Sequence, residues 1–364
     1  MATYSFDLDP VSVSIDLSVG HIAELKIRDG NRILSPLHRA PWVDDLEADF
    51  PPDTPANVRR LSGDFFCAPF GRNDIEEGPS HGWSANSAWD HIETTRQENG
   101  LTAVFRLQRK VMGAIVEKRI SLIAGHPFIY QEHSLTGGEG SVSVAHHVMV
   151  HMAGGGDLAI SPKWLAQTLP EPLETDPARG RSLLAAGTET ADLARFPLAD
   201  GGVADLTAYP LGDVHEDFAA LVERPGHSLG WSVVSRKLEC DRIIVLKRPD
   251  ALPLTMLWMS NGGRHYAPWS SRHTGVLGIE DARASPLGHA DSCRENSLNQ
   301  RGIATAFQLE EGMATTVRQI IGACASGKDG DSIRDVTVET DRLILRSQDG
   351  RVGTLAYDPA FLSA

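Results

Sequence analysis

The sequence predicts an all-β chain, folded as one large antiparallel β-sandwich with few short helices. Three observations carry that prediction. Apolar and polar residues alternate with a period of two along many short segments. The breaks between segments carry hairpin chemistry. No long stretch shows helical periodicity.

The strands follow in chain order. Val11, Val13, Ile15 and Leu17 alternate with Ser12, Ser14 and Asp16. Ala23, Leu25 and Ile27 alternate with Glu24 and Lys26, and Ala103, Phe105 and Leu107 with Val104, Arg106 and Gln108. Turns are expected at Asp29-Gly30-Asn31, Glu98-Asn99-Gly100, Gly137–Gly140, Lys328-Asp329-Gly330 and Gln348-Asp349-Gly350, where Gly, Asn and Asp accept the backbone angles of tight turns. The segment 141–152 reads as a strand. Parity places Val142, Val144, His146, Val148 and Val150 on one face, and Ala145, His147, Met149 and His151 on the other. Near the end of the chain's second apolar block, Thr274, Val276, Gly278 and Glu280 share one face, and Leu277 and Ile279 the other. A short helix is expected within 213–222. The stretch 44–55, acidic and rich in proline, reads as a loop. So does 169–202, rich in Pro, Gly, Ala and Asp, which is either a linker or an excursion beside a binding site. No short repeat is present, and 1–364 is read as a single domain.

The 364 residues, 41% of them apolar, suffice for a sizeable core. A formal net charge of −14 argues against nucleic acid or an anionic membrane surface as partner. Cys67, Cys240, Cys293 and Cys324 have no paired spacing, which fits reduced thiols rather than a disulfide scaffold. The start of the chain lacks a basic segment and an apolar run, and no segment approaches the length needed to span a bilayer. These features predict a cytoplasmic protein.

Chemistry concentrates in two histidine motifs and a glutamate: Ser80-His81-Gly82-Trp83, His146-His147-Val148-Met149-Val150-His151, and Glu280 in Gly278-Ile279-Glu280-Asp281. Imidazoles and a carboxylate can move protons on and off sugar oxygens near neutral pH. His147-x-x-x-His151 is a poor zinc motif, since position 148 is Val and the setting is a strand. No GxGxxG or P-loop occurs, and no cofactor is expected.

The order of these motifs resembles the aldose 1-epimerase (galactose mutarotase-like) family. Mutarotases carry a strand of the form Asn-His-x-Tyr-Phe-Asn-Leu-x-Gly, and His146 to Gly154 is similar without a gap. Pro69-Phe70-Gly71-Arg72-Asn73 followed by Pro79-Ser80-His81-Gly82 looks like the family's Gly-Arg and His-Gly segments. Gly278-Ile279-Glu280 resembles its Cys-Ile-Glu-Pro segment, and Gly212-Asp213-Val214-His215-Glu216-Asp217-Phe218 its Gly-x-Asp-His-x-Phe.

The resemblance implies the galactose mutarotase-like supersandwich and the interconversion of sugar anomers by general acid/base ring opening. It makes Glu280 the base and His147 the acid. It makes His81, Arg72 or Asn73, His151, and Asp213 in preference to Asp217, contacts for a small carbohydrate. Trp83, Trp89, Trp258 and Trp269 are available to stack on a pyranose. A non-catalytic carbohydrate-binding protein and a hexose-6-phosphate 1-epimerase are the competing readings. The second needs convergent cations, for which Arg72, Lys163, Arg264, Arg272 and Arg283 are candidates; none of them clusters in sequence, and with the net charge this favours an unphosphorylated aldose or sugar acid.

Overall fold

The structure, a computed structural model, describes residues 2–327 and 332–363; the turn expected at Lys328-Asp329-Gly330 lies outside them. Strands hold about 49% of the residues and helices about 6%. The three α-helices among the described residues, Ala56–Arg59, His289–Ser292 and Ala360–Ser363, are single turns.

Two large antiparallel sheets carry the fold. Among the described residues the first has eleven strands. Its order is Thr3–Leu8, Val11–Asp16, His21–Asp29, Asp64–Cys67, Val144–His151, Val276–Arg283, Leu254–Asn261, His215–Glu223, Lys163–Gln167 and Glu189–Thr190, with Arg32–Leu34 beside His21–Asp29. The second has nine: Ala208–Tyr209, Gly156–Ile160, Gly230–Arg236, Asp241–Lys247, Ala314–Ala325, Phe128–Thr136, Ile115–Ile123, Gly100–Leu107 and Trp89–Gln97. The expected turns at Asp29–Asn31, Glu98–Gly100 and Gln348–Gly350 each join neighbouring antiparallel strands.

Three buried layers follow from the alternation. Ile15, Ile22, Val148, Val150, Leu277 and Ile279 of the first sheet face Phe105, Val116, Leu135, Val245 and Ile321 of the second. The outer side of the second sheet, through Phe128, Tyr130, Ile244 and Leu246, packs on Val336, Leu343 and Leu345 of a three-stranded sheet, Ile333–Glu339, Arg342–Ser347 and Val352–Ala356. The outer side of the first sheet, through Phe65, Cys67, Met149, Met256 and Trp258, packs under loops that supply Trp42, Leu61 and Trp269.

The helix expected within 213–222 is instead the strand His215–Glu223. Both of its faces are covered: Ala219 and Leu221 enter the core between the sheets, while Ala220 and Val222 enter the outer layer. A strand covered on both faces lacks a polar side, so its period of two is blurred in sequence. The 169–202 stretch returns to the first sheet as its edge strand Glu189–Thr190, and its residues Leu169 and Leu173 wall a cavity.

A chain of polar side chains crosses the core between the sheets. Asp64 accepts from Gln131, Gln131 donates to Gln319, and Gln319 donates to Asp281 at 2.8 Å. Asp281 pairs with Lys247 at 2.9 Å, and Lys247 lies 3.1 Å from Glu223, which also holds Lys163 and His227. All but His227 are buried. No helix among the described residues is long and apolar enough to cross a membrane.

Burying charges is tolerable only while each has its partners. Lys247→Met leaves Asp281 and Glu223 short of their shared cation. We expect it to lower unfolding free energy by about 3 kcal/mol or more in urea titrations. Unchanged stability would show that Lys163 and the amides suffice.

Candidate active site

The site is built by cross-strand register. Phe65, His147, Glu280 and Met256 lie opposite one another on four neighbouring strands, on the outer face of the first sheet. The next row is Met149, Gly278, Trp258 and Phe218. Gly278 is small for a reason, because a Cβ there would meet the Trp258 Cβ at 3.0 Å. Trp258 is part of the cavity's lining.

That cavity has a volume of about 310 Å³ and contains His81, His147 and Glu280 in its lining. His147 Nε2 is 3.2 Å from Glu280 Oε1. The His147 ring stacks on Phe65 with centroids 4.4 Å apart and meets the Trp258 edge at 5.6 Å. Its backbone N–H donates to Asp64 Oδ1 at 3.1 Å, which ties the strand to the polar chain beneath. His81 sits in a turn at φ 65 beside Gly82 at φ 71, where a Cβ on Gly82 would strike the Ala68 carbonyl oxygen at 2.0 Å. The turn aims the His81 ring at His147, with centroids 5.6 Å apart.

Burial sets the proton balance. It pushes Glu280 up to about 8 and holds His147 well below the usual imidazole value, helped by His81. His81 is itself lowered to about 4 by desolvation. The uncharged pair, with its proton on Glu280, is therefore the resting form at neutral pH. The sequence expectation had Glu280 as the base and His147 as the acid; removal from water favours the uncharged form of both groups.

The remaining sequence candidates lie elsewhere. Arg72 is exposed, bonded to the Leu287 carbonyl and near Asp74, outside the cavity. Asn73 is half-buried in the loop beside Gly78, and its amide atoms are covered without a protein hydrogen-bond partner. Asp213 is exposed in a turn. Asp217, its alternative, faces the core side, where it accepts from the Leu183 and Leu184 N–H groups and pairs with His215. His151 shares the His147 face but stands four residues along the strand, against His38. These four candidate contacts, Arg72, Asn73, Asp213 and His151, do not join the cavity because motif order gives no distance across a sheet.

Other groups take their place. Asn57, on the first short helix, lines the cavity and is buried with an unpartnered Oδ1. Arg264 lines it as well, 3.3 Å from Glu174 and 3.5 Å from Glu216, over the Trp269 ring at 4.7 Å. Glu216 also accepts from the Trp258 indole and the Ser260 hydroxyl. Trp258 and Trp269 face the cavity, whereas Trp89 is in the core and Trp83 packs under Arg109. For Glu216 the signal would be a period of two in His215–Glu223, which burial on both faces blurs. For Asn57, in a proline-rich loop, there is none.

Among the described residues no cluster of His, Cys, Asp or Glu has the arrangement of a metal site. The fold and this half-enclosed site define a galactose mutarotase-like supersandwich. Comparison with family models gives no match, and neither does comparison with curated protein sequences. Among solved structures, the chain is similar to a galactose mutarotase related enzyme from Lactobacillus acidophilus, at 12% identity and TM-score 0.53 over 89% of this chain and 98% of that one. It is also similar to a galactose mutarotase-like protein from Clostridium acetobutylicum, at 11% identity and TM-score 0.54 over 89% and 95%. A third, from Escherichia coli K12 and provisionally assigned as an aldose 1-epimerase, matches at 12% identity and TM-score 0.57 over 89% and 99%.

The raised Glu280 has a consequence for stability. Its folded value near 8 exceeds its ordinary value of 4.5, so the stabilisation is full below about 4.5 and is lost as pH rises through about 8. Glu280→Gln has no such proton to lose. The melting temperature of the variant minus that of the wild type is expected to rise steadily from pH 5 to about pH 9. A flat difference would place the Glu280 carboxyl in water.

Proposed function

We propose that the protein interconverts the anomers of a free, unphosphorylated sugar, as an aldose 1-epimerase-like isomerase. The single observation that carries this reading is the His147–Glu280 pair at 3.2 Å on the floor of a half-enclosed cavity. The two oxygens that exchange protons in ring opening, the anomeric hydroxyl and the ring oxygen, are bonded to the same carbon. A donor and an acceptor a hydrogen-bond length apart can reach both.

In the resting pair, Glu280 holds the proton and His147 Nε2 can accept one. Ring opening moves the hydroxyl proton to the acceptor as the donor protonates the ring oxygen. The carbonyl carbon then turns, and closure runs the same transfers backwards. His81 borders the pair, its ring centroid 5.6 Å from that of His147. Trp258 and Phe65 supply apolar faces for a pyranose ring. The fold neighbours named for mutarotase and epimerase activity support the same reading, at the level of fold.

The phosphorylated alternative has little support. Among the described residues lining the cavity, Arg264 is the only cationic side chain, and two carboxylates already partner it. Lys163 is buried with Glu223, Arg272 pairs with Asp45, and Arg283 stacks on Phe307. A phosphate dianion needs convergent cations, and these do not converge.

Glu280→Gln is expected to slow anomer exchange by about 100- to 10,000-fold while leaving sugar affinity within a few-fold. Polarimetry on freshly dissolved aldoses measures the first, and calorimetry the second. The wild-type kcat/KM should hold level through neutral pH and fall above about 8, as Glu280 loses the shared proton. Wild-type protein that binds sugars but never accelerates mutarotation would make it a carbohydrate-binding protein instead.

A further inference from the structure

We propose that Asn57 is a ligand contact of this cavity, whose side-chain amide hydrogen-bonds one hydroxyl of the bound sugar and selects for sugars that carry it. The inference rests on the anomer-exchange reading above for the class of ligand, and adds a residue that recognises it.

Asn57 sits in the helical turn Ala56–Arg59, directly after Pro55, and is 4% exposed. Pro55, Val58 and Leu61 line the cavity with it. Its backbone is engaged, since the N–H donates to Asn86 Oδ1 at 2.9 Å. Its side-chain amide is not. Oδ1 is covered and unpartnered, and Nδ2 bonds to no group among the described residues. Other polar side chains of the lining already have partners. Ser80 donates to the Gly71 carbonyl at 3.0 Å, and His81 Nδ1 is 3.4 Å from Cys67 Sγ. Arg264 lies between Glu174 and Glu216, and His147 and Glu280 hold each other.

A buried amide left unpaired is destabilising. An apolar side chain beside Pro55, Val58 and Leu61 would avoid that penalty, so the amide at 57 needs a reason. A sugar hydroxyl supplies the missing bond. It both donates and accepts, and the last bond of an asparagine side chain turns readily, so either end of the amide can be presented. The position is also fixed relative to the reacting groups. Asn86 Nδ2 donates to the carbonyls of Ser80 and Gly82, at 3.0 and 2.8 Å, on either side of His81. One Asn86 side chain therefore ties the backbone of Asn57 to the turn that carries His81. A hydroxyl bound at Asn57 is thereby held in a set orientation to the neighbouring His147–Glu280 pair.

Asn57→Leu tests this, because leucine keeps the branching and removes the amide. Losing an unpaired buried amide should leave the melting temperature equal or higher, which a structural asparagine would not allow. The same variant is expected to lose about tenfold in kcat/KM, chiefly through KM. D-Glucose, D-galactose, D-mannose and D-xylose are followed by NMR exchange spectroscopy and calorimetry, and the best of them is compared with its monodeoxy analogues. For one analogue, the wild-type preference for the intact hydroxyl should shrink by about threefold or more in Asn57→Leu, while for the others it holds. Asn57→Ala, which leaves space instead of bulk, should repeat that selectivity change. A lowered melting temperature with unchanged KM, or a loss spread evenly over all analogues, overturns the proposal. Binding without exchange removes the anomer-exchange reading alone, and calorimetric affinities for the same analogues then judge the Asn57 contact by the same criterion. No binding to any of the four sugars overturns the proposal.

Discussion

The strand Val144–His151 lies between Asp64–Cys67 and Val276–Arg283, and its register with those two neighbours is the constraint on which the site depends. In that register Phe65, His147 and Glu280 face outward together, while Phe66, His146 and Ile279 face the core. A slip of one residue would exchange the faces. His147 would then enter the space between the sheets, and His146 would stand where the proton acceptor is needed. The register is held from both sides. Val148 and Val150 are fully buried in the core between the sheets. Asp64, itself tied to Gln131, accepts the His147 backbone N–H. The polar chain through the core thus does for the site what valines alone cannot, because it recognises one particular backbone position.

The same burial that fixes the pair also sets its chemistry. A carboxyl and an imidazole in water would both be charged in part near pH 6, and each would be solvated separately. Under Trp258 and Phe65 neither charge is well solvated, so the uncharged arrangement is preferred and one proton serves both. A base and an acid are then present together without an ion pair having to form first.

Much of this was legible in the sequence. The strands at Val11–Asp16, His21–Asp29 and Gly100–Leu107 each bury one face, and their alternation is plain. Parity alone put His147 opposite the valines of its strand, and Glu280 with Val276 and Gly278 opposite Leu277 and Ile279, and the structure has the same faces. What parity cannot supply is which strands are neighbours. Arg72 and Asp213 fit motifs yet stand in exposed loops, since a motif fixes order along the chain and not the direction of a loop. His215–Glu223 was hidden by burial on both faces. With it were hidden Glu216 on the cavity side and the role of Asp217 as a pin for Leu183 and Leu184.

That pin connects the excursion to the electrostatics of the cavity. Asp217 fastens the loop from the core side of its strand, and Glu216, one residue earlier, points to the opposite face and holds Trp258 and Arg264. Glu174 from the loop itself closes on Arg264 and on the Tyr266 hydroxyl. One strand therefore positions both Trp258 and Arg264 at the cavity. Burial pushes Glu216 up against the pull of Arg264, so the guanidinium is balanced rather than overwhelmed by negative charge. In a protein of net charge −14, this leaves a cavity close to neutral inside a negative surface. Such a field repels phosphates and other anions at a distance and is indifferent to an uncharged sugar.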